Sequence, residues 1–153
     1  MNARTKRNIE TLDPKAQNAF TKFSIDAEKT AADLGYEYIG INGNRTWKQQ
    51  DDLHAQGRTK PGKIVTNARG GESNHNFGIA MDYGVFKNSK YIDETNPRAA
   101  SKVHKAVAKD CADYGLEWGG NWVTFKDEPH FQIKTDLSMN QKRSLYRRKG
   151  SVL

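Results

Sequence analysis

Ser73-Asn74-His75-Asn76-Phe77-Gly78-Ile79-Ala80-Met81-Asp82, running on into Tyr83-Gly84-Val85-Phe86, fixes the frame for the rest of the chain. It sets one imidazole and one carboxylate seven positions apart, with a glycine between them. Gly78 lets the backbone turn, and Ile79 to Phe86 reads as a strand. On that strand Ala80 and Asp82 share one face, while Ile79, Met81 and Tyr83 share the other. A histidine and an aspartate near a loop are by themselves a weak sign of a metal. A second cluster, Asp127-Glu128-Pro129-His130-Phe131, strengthens it. Pro129 keeps that segment out of a helix interior. His130-Phe131-Gln132-Ile133 is again strand-like, with His130 and Gln132 on the same face. Two histidines and an aspartate are the borderline nitrogen and oxygen donors that suit a divalent zinc ion. Three protein ligands leave a fourth position open for water, as in a catalytic rather than a structural site. Such a water needs a carboxylate to take its proton, and by chemistry alone either Asp127 or Glu128 can do so.

Outward from these clusters the chain reads as scaffold. Asp13-Pro14 caps and opens a helix over about 14–34, with Phe20, Phe23, Ala27, Ala31 and Leu34 on one face and Gly35 ending it. Tyr36 to Ile41 alternates like a strand, and Asn42-Gly43-Asn44 is a turn signal. Arg45-Thr46-Trp47 follows, leading into a helix over 47–56 that carries a solvated His54. Arg45 reads by position as a surface arginine, although its planar fork suits a carboxylate or developing oxyanion. Lys63 to Thr66 is a short strand candidate, and Lys87 to Asn96 a polar loop or hairpin. Pro97 starts a helix through Tyr114, with Ala100, Val103, Val107 and Cys111 inward and His104 on its surface. Trp118 and Trp122, in a glycine-rich stretch, either wall a substrate cleft or pack in the core. Ser138 to Arg148 is a capped helix with a strongly basic end.

The bulk properties bound the answer. The chain has 153 residues, which fit one domain with one core. Mean hydropathy is -0.90 and no apolar run approaches the roughly 20 residues needed to span a bilayer. The basic Met1–Asn8 start lacks the apolar stretch of a signal peptide, which implies synthesis in a cytoplasm without an export signal of its own. The lone Cys111 excludes an internal disulfide and reads as a small buried residue. A net charge of +7 favours polyanionic partners, an anionic cell envelope among them. The basic residues are scattered without a nucleic-acid motif. No apolar stripe remains once the helices pack, so a monomer is expected.

Ser73-x-His75-x-x-Gly78-x-Ala80-x-Asp82 followed by Asp127-x-x-His130 resembles the signature of the LAS-type, VanY-like zinc peptidases. That group includes D-alanyl-D-alanine carboxypeptidases and dipeptidases and phage L-alanyl-D-glutamate endopeptidases. The resemblance takes in Arg45-Thr46 and Leu116-Glu117-Trp118-Gly119-Gly120, roughly residues 36 to 133. It implies an α+β fold in which a small, mostly antiparallel sheet carries the zinc site and helices pack on the other face. It also implies His75, Asp82 and His130 as zinc ligands and selects Asp127 over Glu128 as general base. The dipeptidases have glutamate at that place and phage members often aspartate. Arg45 matches a position that polarises the scissile carbonyl or binds substrate, and Ser73 a serine that hydrogen-bonds near the site. Trp118 and Trp122 are expected on the substrate wall. Some phage members are switched by calcium, for which Asp93 and Glu94 are candidates without EF-hand spacing. The implied activity is hydrolysis of the L-alanyl-D-glutamate bond of the peptidoglycan stem by a phage endolysin acting on the wall during host lysis. D-alanyl-D-alanine carboxypeptidase activity is the alternative within the group. Outside it stand a non-haem iron oxygenase, which uses the same donor trio, and a non-enzymatic metal-binding module.

Overall fold

The computed structural model describes residues 1–153. Five short strands make one antiparallel sheet: β1 (Glu37–Asn42), β2 (Ala80–Lys87), β3 (Lys90–Tyr91), β4 (Leu116–Trp118) and β5 (His130–Ile133). Their order is β1-β2-β5-β4, with β3 folded back on the far end of β2. Asn88 and Ser89 turn that hairpin, both at positive φ (50° and 64°), the geometry that matches strand twist. The α+β architecture is the one the family resemblance implies.

Helices α2 (Pro14–Asp33) and α4 (Pro97–Ala108) cover one face of the sheet. Asp13 caps α2 by accepting from the Lys15 N–H, and Asn96 caps α4. Phe20, Phe23, Ala27 and Ala31 of α2 and Ala100, Val103 and Val107 of α4 meet Tyr38, Met81, Tyr83, Val85 and Phe131 in the main core. Tyr38 stacks on Tyr83 at 5.1 Å, and Phe23 meets Tyr83 edge-on at 5.6 Å. A second cluster forms around Phe77, Ile79 and Val152, flanked by Trp47 of α3 (Trp47–Ala55) and by Leu145 and Tyr146 of α5 (Met139–Lys149). Ile79 belongs to this second cluster and not with Met81 and Tyr83, because strand alternation begins only at Ala80.

Several features add to the sequence expectations or correct them. Ala3–Glu10 is a helix, α1, capped by Asn2. It ties to β1 through Thr5 Oγ1, which accepts from Gly40 N, and Asn8 Nδ2, which donates to Gly40 O. Lys63–Thr66 forms no strand; no neighbouring strand lies beside it to pair with. The fourth helix ends at Ala108, and Cys111–Tyr114 follows as a separate 3-10 turn that Gly115 closes at φ 74°. Leu116–Trp118 is a strand, since β5 supplies a partner edge. His104 is buried, not on the surface: Tyr38 Oη lies 2.7 Å from its Nδ1 and Asp93 Oδ2 2.6 Å from its Nε2. No helix is long and apolar enough to cross a membrane.

Candidate metal centre and cleft

The sheet brings the two sequence clusters together through register. Asp82 on β2 and His130 on β5 are directly opposed partners at the centre of the sheet. His75 arrives from a 3-10 turn, Asn74–Phe77, capped by Ser73, whose Oγ accepts from His75 N while Asn76 reaches back to Ser73 N. Gly78 ends the turn at φ 67°. A Cβ there would lie 2.5 Å from the Asp13 nitrogen, whose N–H donates to Gly78 O. Gly78→Ala therefore meets both left-handed backbone strain and a backbone clash, and is expected to cost about 1–3 kcal/mol or more. Thermal unfolding of the metal-free protein reads this directly; an unchanged midpoint would mean the turn relaxes freely.

The nitrogen and oxygen atoms of His75, Asp82 and His130 converge within 4.8 Å of one another, the one such group of histidine, cysteine and acidic residues in the structure. Asp82 Oδ1 lies 3.3 Å from His75 Nε2 and 3.2 Å from His130 Nδ1. The His75 imidazole is fixed from behind. His75 Nδ1 sits 2.8 Å from the Gly43 carbonyl, which can only accept, so Nδ1 carries the proton and the Nε2 lone pair faces Asp82. Burial alone would raise the Asp82 carboxyl, but the two imidazoles hold it well below the usual carboxylate range. Burial likewise opposes a charged His130, yet the Asp82 hydrogen bond and charge keep its pKa raised. The His75 Nε2 lone pair, the His130 Nδ1 atom and an ionised carboxylate at these separations fit a tetrahedral divalent cation.

A cleft of about 530 Å³ opens over this trio. Asp127 lines it, and burial together with the Asp82 charge pushes the Asp127 carboxyl above the ordinary range. Its backbone is anchored on both sides: its N–H donates to Gly119 O and its carbonyl accepts from His130 N. Glu128 turns the other way. Both its oxygens accept from Ser101 Oγ on α4, at 3.0 and 2.9 Å, and it lines a separate hollow. Arg45 lines the cleft, its Nη1 donating to Gln50 Oε1 at 2.8 Å. Gln50 is fully buried and in turn donates to Ala68 O. Sequence reading missed that supporting role because nothing local marks a glutamine on a polar helix as buried.

The two expected wall tryptophans part company. Trp122 lines the cleft with its ring 5.2 Å from that of His130. Trp118 does not: it is buried, stacks toward Phe131 in the main core and donates from Nε1 to Glu128 O at 2.7 Å. Alternation along β4 decides this, since Trp118 pairs with Phe131 and shares its face. Ser73 lines the cleft while its hydroxyl caps the turn. Exposed Val65 and Phe125 are further lining residues that the sequence reading did not single out. At Asp93, the carboxylate expected to hold calcium is taken by Val85 N–H and His104.

Residues 66–133 match a peptidase family model, M15, described as D-alanyl-D-alanine carboxypeptidase. The peptidoglycan L-alanyl-D-glutamate endopeptidase CwlK of Bacillus subtilis is 39% identical over 128 residues, covering 78% of this chain and 75% of that protein. The chain belongs to the M15 peptidase family. Among solved structures, the L-Ala D-Glu endopeptidase ChiX of Serratia marcescens superimposes with a TM-score of 0.55 at 20% identity, covering 88% of this chain and 89% of that one. The vancomycin resistance D,D-pentapeptidase VanY in complex with Zn(II) gives 0.52 at 15% identity, covering 92% of this chain and 80% of that one. These distant likenesses establish the fold. As an M15 member the protein is a metallopeptidase, which sets aside the iron-oxygenase and non-enzymatic readings.

Proposed function

We propose that this M15 peptidase is a zinc-dependent peptidoglycan endopeptidase that cuts the L-alanyl-D-glutamate bond of the stem peptide, working as a single-domain monomer. The observation that carries the proposal is the meeting of His75, Asp82 and His130 beneath a cleft whose wall presents Asp127. The bond assignment rests on the likeness to CwlK. His75 Nε2, an Asp82 oxygen and His130 Nδ1 would hold the ion. Zinc bound there supplies Lewis acidity, polarising the scissile carbonyl and lowering the pKa of water from 15.7 to about 7. Asp127 accepts a proton from the attacking water and returns it to the departing amine. Its raised pKa suits that exchange better than an ordinary carboxylate would. Arg45, steadied by Gln50, faces the charge that develops on the carbonyl oxygen. Trp122 and Ser73 border the substrate beside the ion.

Mass spectrometry of products released from purified peptidoglycan by the zinc-loaded protein, against a chelated control, tests the assignment. Muramyl-L-alanine and a peptide beginning at D-glutamate are expected. Release of D-alanine alone would move the protein to the carboxypeptidase activity in the description of its family model. A chelator-insensitive or absent product would sink the zinc mechanism.

The proposal extends to host lysis by a phage endolysin, with a basic surface drawing the enzyme to an anionic envelope. The net charge of +7 and the exposed Arg147, Arg148 and Lys149 at the end of α5 support that attraction. Replacing Arg147 and Arg148 with glutamate is expected to slow lysis of cells several-fold more than cleavage of soluble muropeptide. Equal slowing of both would argue against a docking role.

A further inference from the structure

Beside His130 runs a chain of four polar side chains from four different elements, two of which, Asn74 and Gln132, line the cleft. Lys142 of α5 donates from Nζ to Asn74 Oδ1 at 2.7 Å. Asn74 donates from Nδ2 to Gln132 Oε1 at 2.8 Å. Gln132 donates from Nε2 to Glu117 Oε1 on β4 at 2.5 Å. The same Gln132 Oε1 lies 2.8 Å from His130 Nε2. Lys142 at one end is 6% exposed and Gln132 within the relay 7%, so the chain is not a casual surface contact.

An amide in isolation can point either way, and an imidazole can carry its proton on either nitrogen. Here neither freedom survives. An ammonium can only donate and a carboxylate can only accept. With Lys142 at one end, Asn74 must present oxygen to it and nitrogen to Gln132. With Glu117 at the other, Gln132 must present nitrogen to it and oxygen inward. An inward oxygen can only accept, so His130 must donate from Nε2, leaving Nδ1 as the lone pair that faces Asp82 and His75.

We propose that Lys142 and Glu117 are positioning residues that set, through Asn74 and Gln132, which nitrogen His130 offers to the metal. This rests on the zinc reading above. It gives a buried lysine in a basic C-terminal helix a purpose beyond surface charge, and it assigns direction, not merely contact, to the network. Either end alone dictates the direction; removing both frees both amides to rotate, so a fraction of His130 presents the wrong nitrogen and zinc affinity falls.

The test measures zinc affinity by chelator competition and identifies the metallated nitrogen of His130 by 15N NMR of the full-length, zinc-loaded protein, with thermal unfolding of the metal-free form as a control. Lys142→Met combined with Glu117→Gln, which leaves no end of fixed direction, is expected to weaken zinc binding about 10-fold with mixed nitrogen signals, and Lys142→Met alone, with Glu117 still an acceptor, to keep the Nδ1 signal unmixed. The decisive variant exchanges the ends, Lys142→Glu with Glu117→Lys, at constant net charge. A network that matters only for packing or charge pairing would be restored by the exchange. A directional one would be reversed, turning the Gln132 nitrogen toward His130, and zinc binding would fall further than in the Lys142→Met, Glu117→Gln double variant. Wild-type affinity and an unmixed Nδ1 signal in both the double variant and the exchanged protein would overturn the proposal. A wild type that binds no zinc would overturn the metal-site reading itself.

Discussion

Asp127→Ala is expected to keep its zinc and lose about 10²- to 10⁴-fold in hydrolytic rate, the usual contribution of a positioned proton acceptor. The separation of the two effects follows from position. Asp127 is outside the trio whose donor atoms converge, so its truncation removes no ligand. It does remove the free carboxylate on the cleft wall. The neighbouring acid cannot replace it, because Glu128 is held against Ser101 by both oxygens. Glu128→Ala should therefore leave the chemical step within a few-fold of wild type while loosening the attachment of that loop to α4. Single-turnover rates on a soluble muropeptide, with zinc content measured on the same samples, check the pair. Full rate in the alanine variant at 127 together with a collapse at 128 would reverse the assignment of the base.

His75→Ala should lose metal and activity together. On the proposed reading three donors hold the zinc, and alanine leaves two, with the Gly43 carbonyl deprived of its imidazole partner. An ion that binds only the folded state stabilises it in proportion to occupancy, by about 2.7 kcal/mol at a concentration 100 times Kd. The wild-type unfolding temperature should accordingly climb as zinc is added, and that of His75→Ala should not move. The variant also starts lower, since an unpaired buried carbonyl costs about 1–3 kcal/mol. Zinc-dependent stabilisation surviving in His75→Ala would mean that the ion sits elsewhere.

What the sequence disclosed about this protein was whatever local pattern carries. The candidate metal trio is anchored by a turn glycine and two strand segments, so its residues can be named from motif and chemistry, and the sheet register then sets Asp82 against His130. Helix α2 was visible through its capping aspartate and the three-and-four recurrence of Phe20, Phe23, Ala27 and Ala31. Long-range facts were not visible. His104 looked like surface because its partners, Tyr38 and Asp93, are distant in the chain. Lys142 looked like one more charge on a basic tail, since nothing local announces that Asn74 waits for it. Trp118 was ambiguous until β5 supplied a strand to pair with, because pairing, not composition, chooses which face a side chain takes. Lys63–Thr66 shows the converse: strand-like residues stay irregular where no edge is available.

The opposition of Asp82 and His130 on neighbouring strands bears on how such a protein can change over generations. One residue inserted into or deleted from β2 or β5 would swing a donor to the opposite side of the sheet and end catalysis at a stroke. Segments such as Gly57–Glu72 and Trp122–Lys126 obey no such count, since residues within them border the cleft without pairing in the sheet. Lineages of this fold are thus free to lengthen, shorten and rewrite the rim. Inside the two strands, chain length is frozen, and novelty has to come by substitution alone.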